Sequence, residues 1–281
     1  MPMAKINLSI PFTIPLLGEA FVSSGNPLLT ATLDFSINAK LIHEEQGKLE
    51  IPINSKPLRA KVARYLESHG VGGRFRIESQ ITNPIEQDFI GAASLLFTTG
   101  ADELEADIPT LISKTNDSCF ITLARSLTAL SGGFVVSRKG EGLISLDGRI
   151  GAPVHIRTIR KRIFARRKLE SFSCAFPDLA GPLWHLLGHL VLDGSEAIRA
   201  GDASRLGRLF SLEGALAHSA GLVGLGDLRR IASVKPAFGG KAICSDAFAG
   251  ELILAPEETL PAPSYSRFRF NQGGVKEIGS S

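Results

Sequence analysis

A mixed α+β fold is what this sequence predicts, on three observations. Residues 5–17 and 28–42 read as strands, the second with clean period-two alternation. Residues 56–69 and three segments after Pro177 carry the wider spacing of amphipathic helices. Strand character then returns at 241–254. Strands and helices first, mostly helices next, and strands again make an α+β arrangement rather than a bundle or a sandwich.

The elements follow in order. In 5–17, Pro11 and Pro15 restrict the strand to an edge or bent position, because proline donates nothing to a ladder. The stretch Leu28–Ile42 describes a half-buried strand. Residues 56–69 place Leu58, Val62 and Leu66 on one stripe, with Gly70 just past the end. Residues 73–82 alternate again, and 90–99 are apolar and alanine-rich, as a buried helix is. A helix over 118–130 stops at Gly132-Gly133 before a strand Phe134–Arg138. A strand pair is expected within 142–160, turning at Asp147-Gly148. Helices follow at 182–198, 202–218 (with Asp202 as N-cap) and 225–233. Strands Lys241–Ser245 and Glu251–Leu254, a proline-rich stretch at 256–263 and a short tail complete the chain.

Composition narrows the function. At 281 residues, 44% of them hydrophobic, the chain can bury a sizeable core, and 21% charged residues argue against extended disorder. A net charge of +3 gives no general affinity for nucleic acid. Cys119, Cys174 and Cys244 are odd in number and far apart, so neither a disulfide framework nor a zinc site is expected. A reducing, cytoplasmic compartment follows from that usage. The apolar N-terminus is interrupted by Lys5, two prolines and Glu19, which suits neither a membrane span nor a secretory leader.

Residues 16–34, LLGEAFVSSGNPLLTATLD, resemble the opening of mevalonate kinase and its relatives through Gly18, Glu19, Gly25, Pro27 and Asp34. Residues 123–136, LARSLTALSGGFVV, resemble the helix and Gly-Gly-Phe-Val strand of mevalonate diphosphate decarboxylases. Residues 241–254, KAICSDAFAGELIL, resemble the late strand-turn-strand of those decarboxylases, with Asp246 on their aspartate. Three partial matches in the right order give a resemblance to the GHMP kinase superfamily, nearest its decarboxylase branch. The resemblance implies an α+β GHMP kinase-like fold: a ribosomal-protein-S5-domain-2-like half at 1–165 and a ferredoxin-like half at 166–281.

It also implies an ATP-dependent decarboxylase or phosphotransferase acting on a mevalonate phosphate or similar 3-hydroxy acid, in isoprenoid-type metabolism. ATP and Mg²⁺ are the cofactors so implied, no resident metal is expected, and a homodimer is compatible. In that chemistry Asp246 takes the proton from a tertiary hydroxyl, ATP phosphorylates the oxygen, and loss of phosphate drives decarboxylation. Arg125 binds the substrate carboxylate; Gly91, Ala92, Ala93 and Ser94 line the phosphate loop; Glu19, Ser131 and Gly132 lie on the substrate side.

The sequence departs from the family at several of these points. The phosphate-loop region is TNPIEQDFIGAAS at 82–94, where Glu86 and Asp88 place negative charge against a triphosphate. The kinases' first-strand lysine falls on Thr13, and their aspartate falls near Arg125, which cannot act as a base. The decarboxylases' arginine falls on Thr128, one turn from Arg125.

Each residue also has a plainer role. Asp246 equally caps a turn between strands. Arg125 equally lies on a helix surface, and Glu19 equally supports a turn. His185 and His189, at i and i+4, fit core or interface histidines better than metal ligands. The seven positive residues from Arg157 to Lys168 form either a solvated edge and loop or a grip for an acidic ligand. Two further functions therefore stay open: a catalytically inactive homologue that binds a ligand or protein, and a GHMP kinase for another small alcohol.

Overall fold

The structure, a computed structural model, describes residues 3–158, 165–245, 249–259 and 263–278. The chain opens with two long strands, β1 (Met3–Leu17) and β2 (Leu28–Glu44), joined through a 3-10 turn at Glu19–Ser24. Helix α1 (Lys56–Ser68), strand β3 (Arg74–Ser79) and helices α2 (Pro84–Phe97), α3 (Ala101–Ile112) and α4 (Asp117–Ser131) follow. Strands β4 (Phe134–Arg138), β5 (Gly142–Leu146) and β6 (Val154–Thr158) lead to helices α5 (Ala165–Ala175), α6 (Pro177–Arg199), α7 (Ala203–Ser219) and α8 (Leu225–Ala232). Strands β7 (Gly239–Cys244), β8 (Ala249–Leu254), β9 (Ser266–Phe268) and β10 (Lys276–Ile278) complete the order.

Two sheets result. The first runs β10-β1-β2-β4-β5, with β3 beside the far end of β2, and the second runs β7-β8-β6-β9. One core fills the space between the first sheet and α1, α2, α3 and α4, built on Leu8, Ile10, Leu41, Phe89 and Phe120. The other lies between the opposite face of that sheet, α6, α7 and the second sheet, built on Leu17, Leu29, Val191, Phe210 and Ile253. Sheet 1 is therefore buried on both faces, and over 28–33 the alternating Thr30 and Thr32 are buried along with Leu28, Leu29, Ala31 and Leu33.

Several local expectations need correction. β1 is bent but not an edge, since β2 pairs along one side and β10 along Asn7–Ser9 on the other. Its prolines sit outside the β10 pairing and beside the register shifts at Pro11/Thr13 and Pro15/Leu17, where a missing N–H costs little. The strands within 142–160 do not form a pair: β5 joins β4 in the first sheet, while β6 joins β8 and β9 in the second. Helices α3 and α5 and the three-residue strands β9 and β10 escaped the sequence. The caps were more legible. Asp202 accepts from the Arg205 N–H at 2.8 Å, and Asn116 from the Cys119 N–H at 2.9 Å.

The stretch after β9 folds back over the α4–β4 corner. The Val275 N–H donates to the Ala129 carbonyl at 2.9 Å, and the Asn271 N–H to the Thr32 carbonyl at 3.0 Å. Gly132, at φ 77°, lies so close beneath that a Cβ would stand 2.4 Å from the Gln272 carbonyl oxygen. Gly132→Ala combines a left-handed φ with this collision and is expected to cost about 2 kcal/mol or more. Urea unfolding measures it.

Candidate functional site

Helix α2 begins well before the alanine-rich stretch. Asn83 caps it, its side chain accepting from the Ile85 N–H at 3.0 Å; Pro84 opens the first turn, and Glu86 places a negative charge at the positive end of the helix dipole. As a consequence Gly91, Ala92, Ala93 and Ser94 lie inside a continuous, buried helix. Their N–H groups are spent on the helix ladder, so the expected phosphate-cradling loop is not formed by these four residues. The corrected picture is a packed helix core. Gly91 lets α2 approach the backbone of Pro52, where a Cβ would stand 3.3 Å from its carbonyl oxygen.

The two acids of this segment are both compensated. Asp88 accepts from the N–H groups of Asn54 and Ser55 at 2.6 and 3.0 Å, and so holds the start of α1. Glu86 forms a two-pronged pair with Arg125, whose Nη1 and Nη2 donate to its carboxylate at 3.1 and 2.8 Å. Arg125 is fully buried on α4, not on a helix surface. Its Nε donates to the Thr13 carbonyl at 3.0 Å, and the rings of Phe12 and Phe89 lie 5.3 and 4.7 Å from the guanidinium carbon. Thr128, one turn on, shares a hydroxyl contact of 2.6 Å with Thr30.

Glu19 belongs to a second buried cluster that the sequence did not announce. The Lys241 ammonium on β7 donates to Glu19 at 2.6 Å and to Glu213 on α7 at 2.5 Å, with all three side chains at 3% exposure or less. Glu213 also accepts from the Gly18 N–H at 2.8 Å, and Glu19 from the Cys244 N–H at 3.1 Å. Burial pushes the Glu213 carboxyl up to about 7, against the opposing pull of Lys241 and with the help of Glu19. Burial works against the Lys241 charge, but its two carboxylates outweigh it and raise its pKa. Glu19 thus fixes the 3-10 turn to β7 and is not presented to a ligand. The available signal was a lysine inside the apolar run of β7, which cannot be buried without a partner.

The other expected residues scatter. Ser131 is exposed at the end of α4, and Gly132 is covered by the 272–274 backbone instead of lining a substrate site. Asp246 lies outside the described residues; the Cys244–Glu19 contact anchors the strand two residues before it. Burial, reinforced by Glu19, pushes the Cys244 thiol far up, which keeps it protonated and unreactive. Within the basic run, Arg157 pairs with buried Glu251, Arg166 with Glu170, and Lys168 donates to the Gly221 carbonyl; Arg160, Lys161 and Arg162 lie outside the described residues. His185 and His189 line a shallow groove, and no group of three metal-ligating side chains occurs among the described residues.

A polar cleft of about 490 Å³ opens where the 3-10 turn, the α3–α4 connection, α5 and α6 meet. Ser23, Ser24, Asp117, Lys139, Arg166 and Trp184 line it. Lys139 donates to Asp117 at 2.7 Å. Two cations, several hydroxyls and one large ring suit a small polar ligand. No described helix is long and apolar enough to cross a membrane.

No protein-family model matches the chain, and no curated protein matches it. Solved structures do. The mevalonate kinase of L. major, in complex with R-mevalonate, superposes with a TM-score of 0.64 at 16% identity, covering 96% of this chain and 97% of that one. The mevalonate diphosphate decarboxylase of Staphylococcus aureus gives 0.65 at 13% identity, covering 99% of each chain. A structure of MDDEF in complex with MVAPP, AMPPCP and magnesium gives 0.65 at 13% identity, covering 99% of this chain and 100% of that one. Near-complete coverage at such low identity speaks to architecture. The chain has the GHMP kinase fold, the fold of the mevalonate kinases and mevalonate diphosphate decarboxylases.

Proposed function

We propose that this chain is a ligand-binding member of the GHMP kinase fold, one that holds a small hydroxy acid or its phosphate and does not cradle a nucleotide on α2. A single observation carries this reading: α2 is continuous from Pro84, so the N–H groups of residues 91–94 are already paired. Glu86 adds a carboxylate at the first turn of α2, where that helix's unpaired N–H groups lie. The cleft beside Ser23 is the ligand's place in this reading. Its Lys139 and Arg166 each already pair with an acid, so an incoming anion exchanges with Asp117 or Glu170.

Calorimetry tests it. ATP with Mg²⁺ is expected to give no binding heat and no ADP release, while mevalonate or its phosphates give a measurable isotherm. Lys139→Ala is expected to weaken that isotherm about tenfold, the loss of one charge-assisted hydrogen bond. ATP consumption with any mevalonate derivative overturns the reading.

A second reading is the ATP-dependent decarboxylase or phosphotransferase, with Asp246 as base and Arg125 as carboxylate partner. The near-complete likeness to a structure holding MVAPP, AMPPCP and magnesium favours it. It requires Glu86 to leave Arg125 when substrate arrives. Asp246→Asn, which keeps shape and removes the base, then abolishes turnover.

A further inference from the structure

We propose that the connection from β8 to β9 is a strap released by acid, with His155 beneath it as the trigger. Topology puts the strap there. β8 and β9 both run antiparallel to β6, which lies between them, so they are parallel to each other. Leu254 ends β8 opposite Val154, whereas Ser266 starts β9 opposite Ile156. The chain after Leu254 must therefore run back along the sheet and cross β6. Val154 and Ile156 belong to the core, so one face of β6 is already filled. Glu257 shows that the crossing takes the other face. It pairs with Arg267, which stands directly opposite His155 in the ladder, and directly opposite residues share a face.

His155 lies under this crossing at 0% exposure, and neither ring nitrogen has a hydrogen-bond partner among the described residues. Such an imidazole is held neutral, because a charged one would lose its hydration and gain no acceptor. Burial lowers its pKa from the ordinary 6.5, the Arg267 charge lowers it further, and Glu257 opposes both. The acids nearby are already engaged. Arg267 and Arg269 share the Glu257 carboxylate. Farther along the same face, Arg157, Arg230 and the Tyr265 hydroxyl converge on Glu251 of β8. Ile253, opposite His155 on β8, carries no charge. A proton on His155 thus brings a third positive charge to a group built around one carboxylate.

The ties of the strap are polar. Thr259 donates its hydroxyl to the Pro236 carbonyl at 2.9 Å, and the Ala255 N–H donates to the Pro153 carbonyl at 3.3 Å. Tyr265 fastens the far end to Glu251. The open form binds the His155 proton more readily than the closed one. The closed strap therefore keeps its full advantage above about pH 6.5, and that advantage shrinks as the pH falls below it.

Hydrogen exchange on the full chain, corrected for intrinsic rates, tests this at about pH 7.5 and about pH 5.5. Protection of residues 254–259 and 263–268 is expected to fall about tenfold at the lower pH, while α4 keeps its own. His155→Phe fills the space with a ring that cannot titrate, and its strap is expected to hold at both values. The wild-type His155 imidazole signal, followed by NMR, is expected to titrate below 6.5 and in step with the loss of protection. If His155→Phe fails to fold, that signal and the wild-type comparison with α4 decide. Strap protection that is equal at the two pH values overturns the proposal. So does an equal loss in α4, an equal loss in His155→Phe, or a His155 signal that titrates at 6.5 or above.

Discussion

Lys241→Met is expected to cost about 3–5 kcal/mol in urea unfolding, enough to leave many domains of this size largely unfolded. The reason is what remains. Glu19 and Glu213 stay buried, and the ammonium that both of them contact is gone. Part of the loss should return at acid pH, where Glu213 takes up its proton. The milder Glu213→Gln tests the same cluster by pH. Unfolded, Glu213 ionises near 4.5; folded, burial lifts it to about 7. In that window the folded chain binds the extra proton, so this group's stabilisation is complete below about pH 4.5 and is lost as pH rises through about 7. The amide cannot titrate. Wild-type stability should therefore fall relative to Glu213→Gln between those limits, and parallel curves would show that Glu213 ionises normally.

The second large effect is expected from Glu86→Ala. Arg125 has no exposed surface, and the substitution removes the carboxylate that both its Nη atoms contact. A loss of about 3 kcal/mol follows from taking its two-pronged acid partner away from a fully buried guanidinium. The reverse change, Arg125→Met, should cost less, because Glu86 keeps some contact with water at 13% exposure and Met fills the space between Phe12 and Phe89. The double variant should be more stable than the sum of the two losses allows, and a simple sum would show that the pair is not coupled. In wild type, small carboxylates are expected to leave the melting temperature unchanged, since Glu86 already fills the position.

The fold was legible because its long strands and amphipathic helices carry their own periods, and three short motifs lay in family order. The site was less legible, for a physical reason. Sequence spacing shows which residue types are present but not which charges neutralise each other. Glu86 lies 39 residues from Arg125, and Lys241 lies 222 from Glu19. Each looked available for a ligand until its partner appeared. One clue stood in plain view. Asn83-Pro84-Ile85-Glu86 is an N-cap, a first-turn proline and a third-position acid, which announces a helix start where a phosphate loop was expected. The apolar weight of 90–99 drew the boundary too late.

Because β10 lies against Asn7–Ser9 and the Asp34 N–H finds its acceptor on Arg269, the beginning of the chain is completed by its last stretch. During synthesis the first sheet stays unfinished until residues beyond 269 have left the ribosome, even though most of its strands emerge early. Through that interval one flank of β1 and part of β2 offer open backbone groups to any passing strand. A nascent chain stalled near residue 260 should thus be far more sensitive to protease and to chaperone capture than one in which residues 269–278 have emerged, although only a few short segments separate them.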